Sequence, residues 1–103
     1  MSFGKVIAEA RKKKMLSQKE LALKITKAED GKPISAQYLN DIEHERRNPD
    51  SDHLIEQFAR VLNIDADVLY FHARKIPHDM LKTIASEKDV KAAFQAFRKK
   101  IKG

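Results

Sequence analysis

Cysteine and tryptophan are absent from this chain of 103 residues, and glycine and proline occur only three times each. Without cysteine, neither a disulfide nor a thiolate metal site can hold the fold, and a reducing cytoplasm is acceptable to it. Three glycines leave no glycine-rich loop to cradle a nucleotide phosphate. No apolar run approaches the roughly 20 residues that span a bilayer, and the N-terminus lacks a signal-peptide pattern, so the expectation is a soluble, cytoplasmic protein with no membrane partner. The four histidines, His44, His53, His72 and His78, show no metal-ligand spacing with acidic partners, and no nucleophile motif accompanies them. An enzyme is not expected, nor a cofactor or a metal.

Charge is what the chain has in quantity. Charged residues are 35% of the total and the net charge is +6. Residues 1–27 carry eight Lys or Arg against two acids, residues 28–70 four against ten, and residues 71–103 nine against three. Both ends are basic and the middle is acidic. Any attraction to a polyanion therefore rests on Lys12, Lys13, Lys14 and Lys19 and on the ends of the chain, with Arg46 and Arg47 as a local exception. The length allows one domain with a modest core, or a compact core plus an accessory segment.

Two short helices in the middle of the chain are the most informative feature. Ser17 is an N-cap with Glu20 three residues on, a capping box that starts a helix at Gln18 and turns Leu21, Ala22 and Ile25 inward. Ser35 caps a second helix beginning at Ala36, with Ile34 able to staple onto Leu39. Leu39, Ile42 and Glu43 of that helix fall on one side, and Gln37, Asn40, Asp41 and His44 on the other, with Ala36 and Tyr38 flanking. An outer face of this kind is consistent with simple solvation. It also suits base reading, because amides such as Gln37 and Asn40 donate and accept together, as the N6 and N7 edge of adenine requires. A first turn carrying Gln18 and Lys19 offers backbone N–H groups and a positive dipole end to phosphate.

The ordered set Arg11, Leu16-Ser17-Gln18, Glu20-Leu21-Ala22, Ile34-Ser35, Tyr38-Leu39, Ile42-Glu43, Arg47-Asn48-Pro49, Leu54, Ala59, Leu62 and Leu69 resembles the helix-turn-helix of the Cro and phage-repressor (XRE-type) transcriptional regulators over roughly residues 3–70. The resemblance implies an all-α fold, a five-helix helix-turn-helix domain over residues 1–70, which leaves residues 71–103 as a C-terminal helical extension read from their own periodicity. It implies double-stranded DNA as partner, with Ala36, Gln37, Asn40 and Asp41 facing base edges and Gln18, Tyr38, Arg46 and Arg47 touching phosphates, to which the charge and position of Lys19 add a further phosphate contact. Arg11 and Glu43 match a largely buried ion pair of the family. Two departures stand out. Between Ala22 and Ile34 the chain is about seven residues longer than the pattern requires, a loop broken by Gly31 and Pro33 whose Lys27 and Lys32 could add backbone contacts. Glu45 stands where the family commonly has a left-handed glycine.

The remaining helices follow from periodicity. Phe3, Ile7 and Ala10 line the first; Ser51 caps a fourth with Leu54, Phe58, Val61 and Leu62 inward; Asp65 caps a fifth, with Ile64 stapling to Leu69. Ile76-Pro77 opens a short helix through Met80, Leu81 and Ile84, and Ser86-Glu-Lys-Asp89 resembles a capping box opening a last one. Val90, Phe94, Phe97 and Ile101 recur at helical spacing, an apolar stripe on an otherwise Lys-rich helix. That stripe either packs back on its own domain or pairs across a two-fold axis, as regulators of palindromic sites require. The function expected is a sequence-specific, dimeric repressor. The alternatives are an antitoxin-like inhibitor that binds a partner protein through residues 71–103 while controlling its own promoter, and an adaptor using the fold only for protein contacts.

Overall fold

Short polar side chains start the helices. In the computed structural model, which describes residues 1–102, Ser2, Ser17, Ser35, Ser51 and Asp65 each accept a backbone N–H from the first turn of the helix that follows. Those helices are α1 (Phe3–Lys13), α2 (Gln18–Lys24), α3 (Ala36–Glu43), α4 (Asp52–Leu62) and α5 (Ala66–His72), followed by α6 (His78–Leu81) and α7 (Glu87–Lys102). The fold is all-helical. No helix among the described residues is long and apolar enough to cross a membrane.

The core forms where the apolar stripes of α1 to α5 meet. Ile7, Leu21, Leu39, Ile42, Ile55, Phe58 and Leu69 are fully buried, with Phe3 edge-on to Phe58 at 6.0 Å between ring centroids. Each such side chain contributes about 1.5–3 kcal/mol by leaving water, so these few residues decide how the five helices sit. α3 is held from two sides, by α1 and by α2. Gly4 lets α1 approach closely: a Cβ there would lie 2.6 Å from the Glu43 carbonyl oxygen and nearer still to that of Ile42. The missing side chain brings the start of α1 onto the last turn of α3.

Two helix ends differ from the periodicity, and the expected loop proves to be ordered. Ile25 is buried, but as the extended C-cap of α2 and not as part of the helix. The long connection to α3 is an ordered detour: Ile34 N donates to Ile25 O at 2.8 Å, Thr26 bridges Pro33, and Lys27 N donates to Lys32 O at 2.9 Å. Its turn uses Gly31 at φ 69° and the Asp30 carboxylate, which accepts from Lys32 N. Two α4 side chains grip its base, Gln57 Oε1 accepting from Thr26 N and His53 Nε2 meeting Thr26 O, both at 2.9 Å. Finally, α6 stops at Leu81, leaving Ile84 beyond its end.

The last two helices lie outside this core. Asp52, at the start of α4, accepts from Lys75 Nζ at 2.6 Å and from His78 N at 2.9 Å, fastening the beginning of α6. Ser86 Oγ accepts from Asp89 N as a cap should, but the Asp89 carboxylate accepts from Ala85 N, one residue before the cap. α7 buries none of its described residues: Val90, Phe94, Phe97 and Ile101 are 38%, 44%, 62% and 71% exposed. The stripe stays exposed, increasingly so toward its C-terminal end.

Candidate nucleic-acid interface

The α3 face that carries no core residue is tied together by side-chain hydrogen bonds. Arg11 of α1 donates through Nε to Glu43 Oε2 at 2.7 Å and through Nη2 to Oε1 at 3.1 Å, while its Nη1 donates to the Leu16 carbonyl at 2.8 Å. The Glu43 side chain is 3% exposed and that of Arg11 11%. A pair so deeply placed recovers its desolvation cost only with good geometry, which the forked contact supplies, and its main effect is to fix α1 against α3.

From Glu43 the bonding continues outward. Gln18 Nε2 donates to Glu43 Oε1 at 3.0 Å, and Gln18 Oε1 accepts from Asn40 Nδ2 at 3.2 Å. Asn40 Oδ1 accepts from Arg46 Nη2 at 2.6 Å, Arg46 Nε donates to Asp41 Oδ1 at 3.1 Å, and the same oxygen accepts from Gln37 Nε2 at 3.0 Å. Seven side chains from α1, α2, α3 and the segment after α3 thus form one chain of bonds. It runs from a half-buried arginine to an exposed glutamine.

Four residues expected at base edges, Ala36, Gln37, Asn40 and Asp41, share the outer side of α3; Ala36 and Gln37 are exposed, Asn40 and Asp41 half-buried. Of the residues expected at phosphates, Lys19 is exposed, and Arg47 lies over the Tyr38 ring, 4.9 Å from its centroid. Burial, and then the neighbouring Asp50 carboxylate, raise the Tyr38 hydroxyl above its ordinary range, which keeps it a donor. Gln18 and Arg46 have their side chains engaged within the protein, a commitment that sequence reasoning missed. The i, i+4 spacing of Gln37 and Asp41 was available as a signal; the reach of Arg46 back to Asn40 was not. At the start of α2 the Ser17 backbone N–H and hydroxyl hold the Glu20 carboxyl below the usual carboxylate range, as a closed capping box does. Lys27 of the detour sits 3.7 Å from Asp30, and Lys32 is exposed. No group of three or more His, Asp or Glu side chains among the described residues is placed to hold a metal ion.

Two capped helices, the second pinned by its inner face with a polar outer face held ready, define a helix-turn-helix DNA-binding domain. Residues 7–69 match the helix-turn-helix family, and the chain belongs to it, in its XRE type: it is a DNA-binding transcriptional regulator. The fold is also similar to that of a chain in the solved SinR protein/SinI protein complex, at 25% identity over 95% of this chain and 98% of that one, with a TM-score of 0.53. A comparison with curated proteins gives no match.

Proposed function

We propose that this chain is a dimeric repressor that reads a palindromic operator through α3 and excludes polymerase from an overlapping promoter. The observation that carries the reading is the outer face of α3: Gln37, Asn40 and Asp41 have no packing role and are set in place by their neighbours before any DNA arrives. Side chains ordered in advance lose less entropy on binding, which favours contacts to base edges over a merely solvated face. Lys19, Tyr38 and Arg47 supply phosphate contacts, joined by the backbone N–H of Gln18. The α7 stripe supports pairing with a second copy, because it leaves two phenylalanines in water.

Selection of bound fragments from random duplex DNA tests the reading. A two-fold symmetric consensus is expected, and on it Gln37→Ala and Asn40→Ala should each cost about 1–3 kcal/mol while binding to random duplexes stays nearly intact. Equal losses on both DNAs would remove these residues from the base-reading set.

A second reading keeps the DNA-binding domain and gives residues 71–103 to a partner protein. It is favoured by the similar solved chain, which comes from a complex of two differently named proteins, and whose likeness to this chain extends past the helix-turn-helix into the C-terminal helices. Co-purification from the native cell separates the two, since a repressor of the first kind elutes with itself alone.

A further inference from the structure

Arg46 stands with the phosphate contacts in the sequence, yet its guanidinium is turned back onto α3. The backbone brings it there: Arg46 N donates to Asp41 O at 2.8 Å, and Arg47 N to the same oxygen at 3.2 Å, folding the chain after Glu45 over the last turn of the helix. The fork then spans two reading residues, Nε on Asp41 Oδ1 and Nη2 on Asn40 Oδ1. Resting on the reading of α3 as the base-contacting helix, we infer that Arg46 is a positioning residue for specificity, holding Asp41 to accept from N4 of cytosine and Asn40 to meet the neighbouring base.

Stability is not what this ion pair contributes. With side chains 56% and 26% exposed, an Arg46–Asp41 pair of this kind adds little to folding. Its effect is on which atoms remain available. Asp41 Oδ1 is filled by Gln37 and Arg46, whereas Oδ2 has no partner among the described residues. A carboxylate oxygen only accepts, so it suits the amino group of cytosine and opposes the O6 and N7 acceptors of guanine and the O4 of thymine. Adenine offers N6–H, but with N7 beside it as a second acceptor facing the carboxylate. Asn40 keeps one donor hydrogen and one acceptor lone pair after its bonds to Gln18 and Arg46, enough for a two-point contact. An unneutralised carboxylate would also repel the nearby phosphates, and Arg46 cancels that charge where it arises.

Lysine separates the two possible jobs of this arginine, since it keeps the charge and loses the fork. The probes are the duplex selected from random DNA by the unmodified protein and a random duplex of equal length, titrated over a range of salt. For Arg46→Lys, affinity for the random duplex and its salt slope should stay within about twofold of the unmodified protein, while preference for the selected site falls about tenfold. Selection repeated with Asp41→Asn should change the preferred base at one position per half-site from cytosine. Circular dichroism of each variant confirms an unchanged helical fold. Full preference in Arg46→Lys overturns the positioning role and leaves Arg46 as a charge on the phosphates, as does a cytosine kept by Asp41→Asn for its half of the inference. Gln37→Ala and Asn40→Ala run in parallel: if both leave the preference unchanged, the reading of α3 itself fails, and the role of Arg46 with it.

Discussion

A glutamate at φ 63° holds a Cβ in a region that glycine enters without penalty, and Glu45 does so directly after the C-cap of α3. Glu45→Gly is therefore expected to stabilise the fold by about 1 kcal/mol, raising the thermal midpoint by about 4–8 °C for a domain of this size. A melt showing the midpoint lowered would mean that the exposed side chain, or the larger entropy of an unfolded glycine, outweighs the relieved strain. This position was legible in the sequence because a family pattern marks it, as was the Arg11–Glu43 pair. Gln18 and Arg46 were not. Both are long polar side chains whose partners depend on rotamers and on the path of the chain past a helix end, and neither leaves a trace in periodicity. The sequence therefore showed which residues gather around α3 and missed how they bond to one another.

At the scale of elements, the starts of helices were readable and their ends less so. Serine at an N-cap has a local cause, a side-chain oxygen facing free N–H groups, and four of the five core helices begin at the Ser or Asp expected, while α1 is capped by Ser2, which the sequence pattern did not single out. Helix ends depend on what the chain meets next, which is why Ile25 left α2 to pair with Ile34 and α6 stopped short of Ile84. The junction between core and extension was invisible in the sequence, since Asp52 lies 23 residues from Lys75 and 26 from His78. The Lys75 ammonium and the His78 backbone N–H hold the Asp52 carboxyl below its ordinary range. A depressed folded-state value means that the stabilisation is present above the unfolded value of about 3.9 and is lost as pH falls through the lowered one. Amide exchange at His78 is thus expected to quicken selectively below that range while α1 to α5 stay protected. Asp52→Asn should quicken it at neutral pH, and unchanged exchange in that variant would show that the extension is held by other contacts.

For the whole molecule, the extension sets the shape. The radius of gyration is 15.5 Å and the extents are 45 × 32 × 23 Å, against about 13 Å for a compact chain of this length. A 16-residue helix with no buried residue, set outside the core, accounts for the excess. The stripe was legible as a pattern, but periodicity cannot say what covers it. On the dimeric reading, Phe94→Asp with Phe97→Asp should leave a folded monomer whose α1 to α5 are intact and whose affinity for a paired site drops by at least about tenfold, since two recognition helices are no longer held about 34 Å apart. Sedimentation and titration on the same samples check both. Were the unmodified protein monomeric at micromolar concentration, or the variant still dimeric, the stripe would fall to a partner protein instead.

The detour between α2 and α3 closes on itself before it reaches the motif. Ile25 and Ile34 are both buried and bonded to each other, so the two helices meet as though the residues between were not there. Extra chain at the tip costs only about 0.6 kcal/mol for each doubling of its length. Residues added or removed around Asp30 and Gly31 should accordingly leave α3 in place, and a fluorophore or a short tag grafted there would travel with the protein onto DNA at little expense to its fold.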